Sequence, residues 1–208
     1  MDFMKLLYVD ACVRGEASRT ARLADVFLKG CRMLMPDMTV TVQRLSEMGL
    51  KPIDARTLTV KEALCDRHAW DDPFLQTAAA FQEADVVLVA APYWDLSFPS
   101  QLKVWVENVY VRNLTFRYED ERCIGLCRGR ESVYITTAGS PIGENDWGAG
   151  YMKAVLTTLG IPAFTAIRAE ALDLAGRDAA AIIRDAEQRA VQAARELALR
   201  LTNGGASL

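Results

Sequence analysis

Three short stretches of the 208-residue chain carry side chains suited to holding a ligand. The first is Ser18-Arg19-Thr20, set where a helix should begin. The first N–H groups of a helix lack internal partners, and its dipole favours an anion there by about 0.3–1 kcal/mol. Hydroxyls at Ser18 and Thr20 suit phosphate oxygens, with Arg14 or Arg19 supplying charge. Taken alone, this loop reads equally well as an ordinary N-cap. The second stretch runs from Pro92 through Tyr93, Trp94, Asp95 and Phe98 to Pro99. A turn that only joined strand to helix could be short and polar. This one is stiff and aromatic, which suits a planar ligand stacked at the end of a sheet. Aromatics capping the core are the competing reading. The third stretch, Thr137-Ala138-Gly139-Ser140, is a small turn whose glycine would permit close approach of a ring.

Several other chemistries lose support. There is no Gly-x-x-x-x-Gly-Lys-Ser/Thr or Gly-x-Gly-x-x-Gly pattern for a nucleoside triphosphate or a Rossmann dinucleotide. A serine hydrolase needs a histidine and a Gly-x-Ser-x-Gly elbow; the one histidine, His68, lies in a polar stretch and reads as solvent-facing. Cys123 and Cys127 lack the further ligands a metal would need, so no metal site is expected. Nor is any catalytic acid, base or nucleophile of the protein's own.

These stretches must be positioned by an ordered frame. Leu6–Val9, Thr39–Leu45, Val86–Ala91, Glu131–Thr137 and Ala163–Ala169 read as strands. Helices are expected from Ser18 to about Leu34, over Thr59–Arg67, from Asp71 to Ala84, and over Ser100–Val111, Tyr151–Leu159 and Asp178–Thr202. Thr115–Tyr118 and Cys123–Cys127 read as small extra strands. Alternation of strand and helix makes an α/β protein, a five-stranded parallel sheet with helices on both faces. The doubly wound order 2-1-3-4-5 suits it. Right-handed crossovers then bring residues 10–20, 91–99 and 137–147 to the carboxyl edge, where ligands bind in such sheets.

Bulk properties agree. A hydrophobic fraction of 51% and a charged fraction of 25% are ordinary for a globular chain. Residues 1–202 read as a single domain, followed by a frayed tail over 203–208. The net charge of −3 argues against nucleic acid as a partner. No apolar run approaches the roughly 20 residues that span a bilayer, and the N-terminus does not read as a signal peptide. Five scattered cysteines suggest a reducing, cytoplasmic setting and not a disulfide framework.

Ala90-Ala-Pro-Tyr-Trp-Asp-Leu-Ser-Phe-Pro-Ser-Gln-Leu-Lys103, with Thr115-Phe-Arg-Tyr118 and Ile135-Thr-Thr-Ala-Gly139, resembles the FMN-dependent NADH azoreductase and quinone reductase family of flavodoxin-like proteins. The resemblance implies FMN as cofactor, NADH or NADPH as donor, and quinones or azo compounds as acceptors. It places the FMN phosphate at Ser18, Arg19 and Thr20. The isoalloxazine would lie against Pro92, Tyr93, Trp94 and Asp95, with backbone amides near its N5 edge. Thr137, Ala138, Gly139 and Ser140 would line the pyrimidine side. It further implies a homodimer, with Tyr118 reaching towards the partner's flavin and Phe98 beside the substrate. The chain departs from the family at Ala11, usually serine, and at Tyr93-Trp94-Asp95, commonly Met-Tyr-Asn. A carboxylate at Asp95 would disfavour an anionic reduced flavin. The competing function is a flavin-binding electron carrier or redox sensor without NAD(P)H turnover, against which the weak net acidity counts.

Overall fold

Successive residues of a strand point to opposite faces, and the first strand, β1 (Lys5–Asp10), is buried on both sides. Leu6 and Tyr8 enter one core, and Leu7 and Val9 enter another. The structure, a computed structural model, describes residues 3–203, Asn203 by its backbone alone. The expected frayed tail over 203–208 otherwise lies outside the described residues.

The chain continues through α1 (Arg19–Leu34), β2 (Thr39–Arg44), α2 (Ala55–Asp66), α3 (Gln76–Gln82), β3 (Val86–Ala90) and α4 (Ser100–Val109). A hairpin follows, β4 (Phe116–Glu119) and β5 (Arg122–Gly125). The remaining elements are β6 (Glu131–Thr137), α5 (Trp147–Thr158), β7 (Ala163–Ala169) and α6 (Ala179–Asn203). The main sheet has the order β2-β1-β3-β6-β7, all parallel. Counting only its own strands, this is the expected 2-1-3-4-5. One core packs Phe27 of α1 and Leu197 of α6 against Leu6, Leu88 and Ile135. The other packs Phe81, Trp105 and Met152 against Val87, Val89 and Tyr134. Burial on both faces explains why β3 reads as an unbroken apolar run and why β6, buried throughout, carries Val133, Tyr134 and Ile135 at its centre.

Several boundaries differ from expectation. The helix expected over Thr59–Arg67 begins at Ala55, because Asp54 and Thr57 form a reciprocal capping box. The helix expected at Tyr151 begins at Trp147, because the Asp146 carboxylate accepts from Ala149 N–H at 2.8 Å. The stretch from Asp71 makes a short 3₁₀ turn, Pro73–Leu75, before α3 starts. The helix expected to reach Val111 stops at Val109, since the buried Thr115 hydroxyl bonds the chain on both sides: it accepts from Val111 N–H and donates to Val109 O. The strand expected over Cys123–Cys127 is β5, and it ends at Gly125, where the backbone presses on Leu159 and Gly160. A Cβ there would sit 2.1 Å from the Leu159 carbonyl carbon.

Candidate functional site

Four loops meet at the carboxyl edge of the sheet. The loop after β1 is held from below: Ala11 N–H donates to Ala90 O, and the buried Asp10 carboxylate accepts from Cys12 N–H at 2.9 Å. The loop after β3 is tied to β6 by Tyr93 N–H donating to Thr137 O. The loop after β6 is tied to β7 by Ala138 N–H donating to Ala169 O. The loop after β7 returns over it: Ala171, Leu172 and Asp173 N–H donate to Ser140, Ala138 and Gly139 O. The backbone ladder thus continues past the strand ends, which fixes the relative heights of the loops.

A polar cavity of about 170 Å³ opens between them. Of the eleven residues expected to hold a cofactor, eight line it: Ser18, Arg19, Thr20, Pro92, Tyr93, Trp94, Thr137 and Gly139. Asp95, Ala138 and Ser140 do not. Ala138 is buried, with its N–H and C=O used by Ala169 and Leu172. Ser140 and Asp95 are exposed.

The two hydroxyls expected to reach an anion already have protein partners. Ser18 Oγ caps α1 by accepting from Ala21 N–H at 3.2 Å, and Arg22 N–H is taken by Ser18 O. Thr20 Oγ1 lies 2.7 Å from Thr137 Oγ1, both buried. The donors left at this helix start are the N–H groups of Arg19 and Thr20. The N-cap reading of Ser18 and the anion-site reading of the helix start are therefore compatible: the side chains order the turn, and the backbone offers the donors.

Trp94, Asp95, Leu96 and Ser97 form a tight turn with hydrogen bonds in both directions, Trp94 N–H to Ser97 O at 3.2 Å and Ser97 N–H to Trp94 O at 2.8 Å. Asp95 and Leu96 have φ of 49° and 65°, a left-handed pair that L-residues other than asparagine and aspartate seldom adopt. Their two N–H groups have no protein partner among the described residues. Trp94, 38% exposed, walls the cavity. The turn sits on Gly148 of α5, where a Cβ would lie 3.0 Å from Tyr134 Oη and 3.2 Å from Ser97 O. On its far side is a larger apolar cavity of about 650 Å³ lined by Ser97, Phe98, Trp147 and Tyr151. Phe98 belongs to that second cavity. Tyr118 lines neither; it stands 72% exposed on the β4–β5 hairpin, edge-on to Phe116.

One site residue, Asp173, escaped sequence reasoning. Arg14 lines the polar cavity from the loop after β1, and Asp173 lines it from the loop after β7. Asp173 Oδ1 accepts from Arg19 Nη2 at 2.9 Å. The room that Gly139 leaves is filled by the same carboxylate, since a Cβ there would be 2.3 Å from Asp173 Oδ2. Arg14 was visible as a cation near a helix start. Nothing in the sequence around Asp173 marked that loop. Cys12, beneath the site, is no nucleophile: burial pushes its thiol up to about 12.

A doubly wound parallel sheet of this order, with a polar crevice and an aromatic turn at its switch point, has the architecture of a flavodoxin-like protein. A family model described as flavodoxin-like fold matches residues 4–194. The FMN-dependent NADH:quinone oxidoreductase 2 of Clostridium acetobutylicum is 32% identical over 198 residues, covering 92% of this chain and 98% of its own. The FMN-dependent NADH:quinone oxidoreductase of Gluconobacter oxydans is 32% identical over 199 residues, covering 90% and 98%. Among solved structures, an FMN-dependent NADH-azoreductase from Bacillus anthracis in complex with FMN superposes with a TM-score of 0.82 at 22% identity, over 94% of this chain and 99% of that one. This chain belongs to the flavodoxin-like family that contains the FMN-dependent NADH:quinone oxidoreductases.

Proposed function

We propose that the protein is an FMN-dependent NAD(P)H oxidoreductase that reduces quinones or azo compounds in two half-reactions through one site. The observation that carries this is the meeting of open helix amides, an aromatic turn and a close-packed glycine turn in one crevice. The donor set fits FMN: Arg19 and Thr20 N–H with the Arg14 and Arg19 guanidinium groups suit the phosphate, and the Trp94 wall suits a flat ring.

When bound, FMN supplies the redox chemistry, taking a hydride from the reduced nicotinamide and delivering two electrons to the acceptor. The chain's own residues bind and orient. Ser18 and the Thr20–Thr137 pair hold the start of α1 in place. Pro92, Tyr93 and Trp94 would back the flavin ring, and the N–H groups of Asp95 and Leu96, without a protein partner among the described residues, would be donors available to it. Thr137 and Gly139, which line the cavity, would face the other side of the ring, with Ala138 and Ser140 holding their turn in place through backbone bonds to Ala169, Leu172 and Ala171. The apolar cavity at Phe98, Trp147 and Tyr151 suits a planar acceptor. NADH is the donor named for the relatives. The exposed Tyr118 supports a homodimer in which it approaches the partner's site. All five cysteines are unpaired, which suits the cytoplasm. Among the described residues no helix is long and apolar enough to cross a membrane.

Steady-state kinetics test the reading. With FMN-loaded protein, NADH and menadione varied together should give parallel reciprocal plots. Flavin-loaded protein with no turnover of either NADH or NADPH would identify an electron carrier instead.

A further inference from the structure

The anion end of the crevice contains a carboxylate. Asp173 is fixed there by its backbone, through N–H donation to Gly139 O at 3.0 Å and the neighbouring bonds of Ala171 and Leu172. Its side chain packs on the face of Gly139, with no room for a Cβ between them. Its Oδ1 holds Arg19, the first residue of α1 and one of the cavity's two arginines. The cavity wall thus carries two guanidinium groups and one carboxylate, and the carboxylate is paired with the arginine nearest the helix amides. An incoming phosphate meets Arg19 already engaged and a fixed negative charge beside it.

We propose that Asp173 is an affinity-setting residue that masks Arg19 and lowers the hold of the site on phosphate, for FMN and free anions alike. This rests on the reading that residues 18–20 take the FMN phosphate. A dianionic phosphate and Asp173 repel across a partly solvated gap, while the Arg19–Asp173 pair, with both side chains more than a third exposed, adds little to stability. The carboxylate therefore acts mainly on the ligand. It keeps the empty site from filling with inorganic phosphate, and leaves FMN selected by its ring as well as its charge.

The test is Asp173→Asn, which keeps the shape and the acceptor oxygen towards Arg19 but removes the charge. FMN dissociation constants come from quenching of flavin fluorescence, and inorganic phosphate is titrated as a competitor. The variant should bind FMN about fivefold more tightly and be inhibited by about fivefold less phosphate, the size expected of one partly screened charge. In a double-mutant cycle, Arg19→Gln should weaken FMN more in the Asp173→Asn background than in the parent, because Arg19 is then unmasked. Unchanged or weaker FMN binding, an unchanged phosphate constant, or equal Arg19→Gln losses in the two backgrounds would each overturn the inference. Failure of the parent protein to bind FMN would overturn the functional reading itself, and this inference with it.

Discussion

Thr20 Oγ1 and Thr137 Oγ1 lie 2.7 Å apart and buried, joining the first turn of α1 to the end of β6. This bond ties the helix start that lines the crevice to the strand that leads into the Gly139 turn. A buried hydroxyl that loses its partner costs about 1–3 kcal/mol. Thr20→Val and Thr137→Val should each lower unfolding free energy by about that much in urea titrations. The double variant should lose less than the sum, since neither hydroxyl is then left alone.

Gly148 and Gly150 lie two positions apart in α5 with opposite surroundings. A Cβ at Gly148 meets Tyr134 Oη and Ser97 O, whereas one at Gly150 meets nothing within 4 Å. Gly150→Ala should stabilise the helix by up to about 1 kcal/mol and leave flavin binding unchanged. Gly148→Val should push the Trp94–Ser97 turn and weaken FMN retention. Thermal unfolding and flavin fluorescence read the two effects separately.

Leu96 is 67% exposed and left-handed, with φ of 65°. A residue with a Cβ pays roughly 1–2 kcal/mol there that glycine does not. Leu96→Gly should therefore raise the melting temperature despite the lost side chain. A lower melting temperature would mean that the side chain makes up for the strain.

Thiol chemistry should be confined to one site. Burial pushes the thiols of Cys12, Cys31 and Cys127 up to about 12, and Cys65 is raised for the same reason. These groups stay neutral at pH 8, because a raised thiol pKa means the thiolate appears only at higher pH. Cys123 alone is exposed. The native protein should react with one equivalent of a thiol-specific disulfide reagent, and Cys123→Ser should abolish that reaction. Five equivalents should react after denaturation.

The frame was largely legible because its three central strands, β1, β3 and β6, are buried on both faces, and its edge strand β2 alternates with β-branched residues. β6 and β7 lie over the residues expected, Glu131–Thr137 and Ala163–Ala169, and the sheet order follows from strand–helix alternation. Helix starts were harder to read: Asp54 and Asp146 extend α2 and α5 backwards by capping, through Ala55–Leu58 and through the glycine-containing Trp147–Gly150. At the site, each of the three stretches contributes to the crevice, but Asp95, Ala138 and Ser140 do not line it and Phe98 lines the neighbouring cavity. The partners of Ser18 and Thr20 were not legible, because hydroxyls that bind a ligand and hydroxyls that order a turn look the same in sequence. Asp173 was invisible for a different reason. It acts only through proximity to Arg19, 154 positions away, and to Gly139.

The most direct test of the account is an anaerobic titration of FMN-loaded protein with NADH, followed by menadione. The flavin absorbance should bleach with about one equivalent of NADH, as a two-electron hydride transfer requires, and return when menadione is added. Bound flavin that neither NADH nor NADPH bleaches would contradict the account.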